Sequence, residues 1–336
     1  MLLLALFACS DYQLGGKSDR NRPAEETGEH VVDTSVDDTD DSADTDEVPV
    51  TDSDGDTSVE FPEGKIDVVL IMDIAYSYDC YRVELASRTS ELINALFDSG
   101  ADVAVSISTY DDYNVEGEWW VAWGGVPYVL EQQLTTDRAT ALTAAGGLDF
   151  NWGGDGPGTG YEAILQSMNG RGYDQDCDGT FDSDNDIRAF NASGSDAFGG
   201  GATGYANSSV PGTGTLPGVG FRGGSKKVVV VFAENSIRDR NEGDEIPTGV
   251  CLGAASQSDA VSGMNSMDVK FLGINAYEFW DIDTRPQEQL EALATQTSSK
   301  IDKDGDGARD DVAVYGGDWN WPTTAQIVSG VWDLAQ

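Results

Sequence analysis

Apolar positions from Lys65 onward follow two alternating patterns. Short runs rich in Val, Ile, Leu and Phe predict buried strands over 66–72, 102–109, 226–234 and 269–276. Residues whose apolar positions recur at helical spacing predict helices over 82–100, 135–145, 158–168, 256–267, 286–296 and 323–335, and residues 118–130 predict a hairpin. Alternating strands and helices, with strands that are apolar throughout, indicate an α/β fold: a doubly wound, mostly parallel central sheet with helices on both faces.

Two long stretches lack both patterns. Residues 25–60 contain fifteen Asp or Glu and no Lys, Arg or aromatic residue, so they cannot bury enough apolar area to offset chain entropy. We therefore predict an acidic disordered linker over 10–64 and a folded domain over 65–336. Within that domain, residues 170–224 are rich in Gly, Ser, Asn and Asp, and they predict a long insertion.

The chain begins with an apolar run over 2–7 that is too short to span a bilayer. The run leads into LFAC, 6–9, which resembles a bacterial lipobox, although no basic segment precedes it. The resemblance implies that residues 1–9 are a lipoprotein signal peptide ending at Cys9, which carries the lipid in the mature chain. We expect a cell-envelope protein, anchored by lipid at the outer membrane or cell surface; a chance apolar N-terminus is the alternative.

Composition narrows the range of partners. The formal net charge of −41 repels nucleic acid and anionic membrane surfaces, which leaves the lipid anchor as the membrane contact, and it attracts cations. In an exported protein, the three cysteines after Cys9 predict one disulfide and one thiol. Cys177 and Cys251 both lie in loop-like sequence and are the favoured pair, while pairings that involve Cys80 stay open.

Two Asp-rich segments carry the residue spacing of a calcium-binding loop. Carboxylates at positions 1, 3, 5 and 9, with a glycine at position 6 where the chain turns sharply, suit Ca²⁺ because this ion takes oxygen ligands. These residues are Asp174, Asp176, Asp178, Gly179 and Asp182 in the first segment, and Asp302, Asp304, Asp306, Gly307 and Asp310 in the second. Both segments resemble the Asp-rich calcium repeats of extracellular bacterial proteins. The alternative is a pair of acidic surface loops without an ion.

The segment DVVLIMDIAYS, 67–77, ends a predicted strand at Asp73 and continues into a polar turn with Ser77 on the same side. It resembles the metal-site turn of von Willebrand factor A domains, in their integrin beta I-like branch. The family pattern there is Asp-x-Ser-x-Ser, which holds a Mg²⁺ whose open position takes an acidic residue from a partner. Ala75 replaces the first serine of that pattern in this chain.

Later segments extend this resemblance in the family's order. In GGDGPGTGYEAILQ, 153–166, Gly158 stands where the family has a metal-binding glutamate, and Thr159 is the candidate substitute. The resemblance implies a degenerate top-face site for Mg²⁺ formed by Asp73, Ser77, Thr159 and Glu234, and an adjacent calcium site formed by Asp112 and Asp155.

The only histidine, His30, lies in the predicted linker. The domain therefore lacks the residue that Ser-His-Asp triads, Cys-His pairs and HExxH zinc sites require. We predict a non-enzymatic, calcium-stabilised binding or adhesion module whose partner is a protein or a glycan. The alternatives are a carboxylate-dependent hydrolase of the glycosidase kind and a purely structural envelope lipoprotein.

The lipobox predicts the outcome of a fractionation experiment. Cys9→Ala removes the thiol that the lipid would modify, so this variant should leave the membrane fraction and appear in the soluble fraction. Mass spectrometry of the mature wild-type protein should find a lipid on Cys9. A variant that stays membrane-bound, or an unmodified Cys9, would contradict the lipoprotein prediction.

Overall fold

The computed structural model describes residues 64–74, 82–113, 127–148, 157–182, 186–190, 197–198, 218–243, 253–276, 285–316 and 322–336. All the described residues belong to the unit Phe61–Gln336. Residues 1–63 lie outside the described residues, so the predicted signal peptide and linker stay predictions. The insertion predicted over 170–224 lies partly outside them and stays a prediction as well.

In the described ranges, strands and helices alternate as the apolar pattern predicts, while the hairpin predicted over 118–130 lies mostly outside those ranges. The strands are β1 (Lys65–Asp73), β2 (Asp102–Tyr110), β3 (Val129–Thr135), β4 (Lys226–Ala233), β5 (Val269–Asn275), β6 (Lys300–Ile301), β7 (Asp311–Val312) and β8 (Val314–Gly316). The helices are α1 (Arg82–Asp98), α2 (Arg138–Gly146), α3 (Gly160–Asn169), α4 (Gln257–Ser266), α5 (Arg285–Gln296) and α6 (Thr324–Ala335). Among these helices, none combines the length and the apolar character that crossing a membrane requires.

The main sheet has the strand order β3-β2-β1-β4-β5-β8. β1 pairs in parallel with β2 and β4, and the parallel pairing continues through β5 to β8. β3 is the exception, since it pairs antiparallel with β2 at one edge. Helix α1 contacts α2 and α6, whereas α4 contacts α3 and α5, so the helices form two groups. The predicted doubly wound α/β fold is therefore confirmed.

Central strand β1 shows why both faces of the sheet need cover. Every residue of β1 after Lys65 is buried, and Val68–Met72 are fully buried. Because successive side chains of a strand point to opposite faces, an uninterrupted apolar run places apolar groups on both. Each such side chain stabilises the fold by about 1.5–3 kcal/mol when it leaves water. The packing of β1 thereby fixes the position of Asp73, which is the last residue of the strand.

Arg222 holds the amino ends of β1 and β2 together. Its Nε lies 2.5 Å from Oδ1 of Asp67, and its backbone N–H donates to the other oxygen of that carboxylate at 2.7 Å. Its Nη1 lies 2.5 Å from a carboxylate oxygen of Asp102, and its Nη2 donates to the carbonyl of Ile66 at 2.9 Å. The Arg222 side chain is 8% exposed and that of Asp67 is fully buried, so this ion pair is shielded from water.

We predict that Arg222→Ala destabilises the domain strongly. Removing one partner of a buried ion pair leaves the other charge uncompensated, which costs about 3–5 kcal/mol. The matched control is Arg138→Ala, because Arg138 pairs with Asp98 while their side chains are 40% and 66% exposed. Exposed pairs contribute about 0–1 kcal/mol. Urea unfolding should separate the two variants, and equal losses would contradict the structural role given to Arg222.

Candidate metal centres

The first Asp-rich segment forms a loop closed by an antiparallel bridge between Tyr173 and Ile187. Asp174 organises the loop, because its Oδ1 accepts from the N–H of Cys177 at 2.8 Å and its Oδ2 from that of Gly179 at 2.9 Å. Gly179 has a φ of +75°, a conformation that glycine adopts without steric strain. The sharp turn predicted at position 6 is therefore present.

The second Asp-rich segment forms a loop between β6 and β7, which pair antiparallel. Asp302 accepts from the N–H of Gly305 at 2.8 Å through Oδ1 and from that of Gly307 at 2.9 Å through Oδ2. Gly307 has a φ of +89°. The donors lie three and five residues after the first aspartate in both loops. Two separate segments thus share one backbone arrangement.

Each loop brings three carboxylates close together. Asp174, Asp176 and Asp186 each offer an oxygen, and these oxygens lie within 4.8 Å of one another; Asp302, Asp304 and Asp306 do the same in the second loop. Hard divalent cations bind several carboxylate and carbonyl oxygens at once, so these groups have the chemistry of a cation site. The structure therefore contains acidic clusters that could hold a metal ion.

Asp186 is a cluster member that the spacing analysis missed. It is 6% exposed, and its carboxylate accepts from the backbone N–H groups of Gln175 at 2.8 Å and Asp182 at 2.7 Å. Burial raises the pKa of this carboxyl group, and the nearby charges of Asp174 and Asp176 raise it further. Asp186 lies one residue beyond position 12 of the first calcium-loop spacing, and this position was the signal by which the sequence could have revealed it. The side chains of Asp178, Asp182 and Asp310 lie outside the two close groups.

Asp333, in α6, is a second residue that the spacing analysis missed. Its carboxylate accepts from the backbone N–H of Asp302 at 3.0 Å, which attaches the second loop to the last helix. Burial raises the pKa of Asp333, and the charge of Asp302 adds to the rise. The two basic side chains of the loop donate to carbonyl oxygens: Lys303 to that of Val314 and Arg309 to that of Asp333. The backbone of α6 and β8 thus takes part in holding this loop.

Cys177 lies in the first loop and is disulfide-bonded. Its φ of +68° matches the +80° of Gly305, which occupies the same position in the second loop. Its partner lies outside the described residues, so the predicted pair with Cys251 stays a prediction. The disulfide ties the acidic loop covalently to another part of the chain.

At the carboxyl end of β1, the structure brings Asp73 and Glu234 together. Asp73 is 1% exposed, and its Oδ2 lies 3.5 Å from the backbone N of Glu234. Tyr110 lies opposite Asp73 in the β1–β2 register. The Tyr110 hydroxyl donates to the carbonyl of Phe232 at 3.2 Å. Burial raises the pKa of Tyr110 well above its usual value, and the charges of Asp73 and Glu234 raise it further.

The other residues that the family resemblance implies are placed as follows. The Thr159 hydroxyl donates to the carbonyls of Pro127 at 2.6 Å and Asp111 at 3.2 Å. The Asp112 carboxylate accepts hydrogen bonds from two groups of Arg238, Nε at 2.8 Å and Nη2. Ser77 and Asp155 lie outside the described residues, so the sites that include them stay predictions.

Glu162 is a further buried carboxylate that sequence reasoning missed. It accepts from the Tyr113 hydroxyl at 2.9 Å, the backbone N–H of Ala255 at 2.9 Å and Nε2 of Gln166 at 2.8 Å. Burial raises the pKa of the Tyr113 hydroxyl, and the Glu162 charge raises it further. Glu162 is 1% exposed. Its hydrogen bonds connect α3 to two other segments, the one that follows β2 and the one that precedes α4.

Comparison with known proteins identifies no family for this chain. No family model matches the chain, and no curated protein matches it. A solved structure of proximal thread matrix protein 1 (PTMP1) from the mussel byssus is similar with a TM-score of 0.36 and 10% identity. The match covers 69% of this chain and 39% of that one, so this chain spans well under two thirds of its length.

We predict that Ca²⁺ stabilises the wild-type domain through both loops. An ion that binds the folded state alone adds about 1.4 kcal/mol at about ten times its Kd, so the melting temperature should rise with millimolar Ca²⁺ and fall with chelator. Asp176→Ala and Asp304→Ala should each remove part of this shift. Asp98→Ala, an exposed aspartate outside the loops, should retain the whole shift. An unchanged melting curve in the wild-type protein would reject both sites.

Proposed function

We propose that this chain is a calcium-stabilised, non-enzymatic binding module of the cell envelope, held there by lipid at Cys9. The observation that carries the proposal is the shared arrangement of the two Asp-rich loops. Each has a first aspartate that accepts from the same two backbone positions and a cluster of three carboxylates. Repetition of one cation-binding arrangement in two segments supports a common role for both.

Calcium is the cation that these loops favour. The oxygens that these loops bring together belong to carboxylates, which are ligands of hard divalent cations, and Ca²⁺ accepts the irregular geometry that such loops offer. Loops of extracellular modules bind Ca²⁺ with a Kd of about 10⁻⁴ to 10⁻³ M. Such an affinity suits a protein outside the cytoplasm, which agrees with the lipoprotein signal predicted over 1–9.

Three of the buried carboxylates are engaged within the chain, and this supports binding over catalysis. Asp67 and Asp112 are paired with Arg222 and Arg238, and Glu162 is held by a tyrosine hydroxyl and a backbone N–H. A glycosidase needs one carboxyl group that keeps its proton near neutral pH and a second one across the substrate. Both oxygens of Asp67 and of Asp112 accept hydrogen bonds from an arginine of the chain, so these two carboxylates are already engaged and are poor candidates for contact with a substrate.

The partner that we propose is a protein or a glycan, as the resemblance to A-type domains implies. Support for that resemblance comes from the mostly parallel sheet and from Asp73 at the carboxyl end of its first strand. Ligand sites in open α/β sheets lie beyond the carboxyl ends of the strands. The Asp-rich loops then act as stabilising elements of the module.

The test uses the full chain on glycan and protein arrays, with millimolar Ca²⁺ or with chelator. We expect binding that needs Ca²⁺, that the double variant Asp176→Ala/Asp304→Ala loses, and that Asp98→Ala retains. The reason is that the double variant removes one ligand from each loop, whereas Asp98 lies outside them.

Two outcomes on these arrays would count against the proposal. Binding that persists in chelator and in the double variant would separate recognition from calcium. Cleavage of an array glycan by the wild-type protein, abolished when one acidic residue is replaced, would favour the carboxylate-dependent hydrolase.

A further inference from the structure

The two Asp-rich loops differ at their fourth position. Cys177 occupies it in the first loop and is disulfide-bonded, whereas Gly305 occupies it in the second. Both residues have a positive φ, +68° for the cysteine and +80° for the glycine. Glycine adopts this conformation without steric cost, whereas other residues adopt it rarely. The first loop therefore combines an unfavourable backbone conformation with a covalent link, and the second loop has neither.

The middle of the first loop is exposed and is held from within the loop. Residues 176–180 are exposed, and the N–H groups of residues 177–180 all donate to carboxylates of the same loop. The start of the loop is fixed to α3, because the side-chain amide of Gln166 both accepts from and donates to the backbone of Gly172 at 3.0 Å. The disulfide thus ties the exposed middle, and not the fixed base, to another part of the chain.

The second loop is attached to its surroundings by hydrogen bonds. The N–H of Asp302 donates to the Asp333 carboxylate at 3.0 Å. Lys303 donates to the carbonyl of Val314 and Arg309 to that of Asp333, each at 3.0 Å. Residues 302–311 contain no cysteine, so a thiol reductant has no bond to break there. The chain therefore carries its own control for any effect of reduction on the first loop.

The disulfide is open to attack from solvent. Cys177 is exposed, and a Cβ atom added to the matching Gly305 would meet nothing within 4 Å beyond its chain neighbours. A side chain at this position thus extends away from the carboxylates of its loop. Exposed disulfides are more easily reduced than buried structural ones, and labile and regulatory disulfides belong to this class.

We propose that the disulfide of Cys177 is a redox switch for the first Asp-rich loop. The oxidised chain holds the loop in the arrangement that brings its carboxylates together, and reduction lets the loop open and lose its cation. The second loop keeps its arrangement in both states. The part of the proposal that concerns the cation rests on the proposed function, whereas the opening of the loop does not.

The reductant is a dithiol, and the step balances. A thiolate of the dithiol attacks one sulfur of the disulfide, and the second thiol completes the exchange. The S–S bond of the chain breaks, and its two cysteines become thiols with two electrons and two protons from the dithiol. The dithiol is oxidised to a disulfide. Without the covalent link, the left-handed conformation of Cys177 favours opening of the loop.

The first test is amide hydrogen exchange in the full-length protein, with and without dithiothreitol, read by mass spectrometry on peptides that cover 174–182 and 302–311. A non-glycine residue disfavours the left-handed conformation by a factor of about ten, so reduction should speed exchange over 174–182 about tenfold. Exchange over 302–311 should change by less than about twofold.

Three outcomes of this experiment would overturn the switch. The first is unchanged exchange over 174–182 once the mass shows the bond of Cys177 broken. The second is equal acceleration over both peptides, which would mean that reduction loosens the whole domain. The third is a disulfide that resists the dithiol in the folded protein.

Two variants separate the covalent link from the backbone conformation. Cys177→Ser removes the disulfide and keeps a side chain at the left-handed position, so it should exchange like the reduced wild-type protein. Cys177→Gly carries the residue of the second loop, so it should exchange more slowly than Cys177→Ser. Neither variant should respond to dithiothreitol over 174–182. A Cys177→Ser variant that exchanges like the oxidised wild-type protein would refute the role given to the disulfide.

Calcium titration tests the cation part with each loop measured separately. Asp304→Ala leaves the first loop intact, and Asp176→Ala leaves the second. Reduction should weaken the Kd for Ca²⁺ about tenfold in Asp304→Ala and by less than about twofold in Asp176→Ala, because only the first loop loses its binding-competent form. The same Kd in both redox states of Asp304→Ala would overturn the proposal. If neither oxidised variant binds Ca²⁺, the proposed function fails, and the exchange experiment still decides whether the loop opens.

Discussion

A carboxylate that leaves water must find a donor or a cation, and this chain has sixty acidic residues against nineteen Lys and Arg. The structure gives two of its arginines to the ends of the central sheet. Arg222 neutralises Asp67 at the amino end, and Arg238 neutralises Asp112 at the carboxyl end. Because burial makes an uncompensated charge costly, pairing with a guanidinium group stabilises each of these two buried carboxylates.

The second Asp-rich loop is a different case. Its two basic side chains donate to backbone carbonyls, and the carboxylates of Asp302, Asp304 and Asp306 lie close together. Like charges at such distances repel one another, and a divalent cation removes the repulsion. The proposed calcium dependence thus belongs to the two Asp-rich loops, while Asp67 and Asp112 at the ends of the sheet are paired with arginines of the chain.

The spacing of the aspartates predicted both Asp-rich loops, but it did not predict Asp186 and Asp333, which also contact them. The aspartates at positions 1 and 3 of each loop lie in the close groups, because residues two apart within one turn are held together by local geometry. Asp333 lies in the last described helix, thirty-one residues after Asp302, and its carboxylate accepts from the backbone N–H of Asp302. The strands β6, β7 and β8 also escaped prediction, because two or three residues are too few to show a period. Most of β3 escaped it too, since the predicted hairpin ended at residue 130 and β3 continues to Thr135.

The sequence by itself determined the fold class, since hydrophobic periodicity is a property of consecutive residues, and the six predicted helices and the four strands predicted over 66–72, 102–109, 226–234 and 269–276 all form. It also placed Asp73 at the end of the first strand. Only the tertiary structure decided what surrounds that carboxylate. Tyr110 and Arg238 come from separate parts of the chain, and nothing in their local sequence reveals that Tyr110 lies opposite Asp73 or that Arg238 pairs with Asp112. The sheet register and the packing of loops beyond the strands bring them there, because the partner of a buried charge is chosen in space.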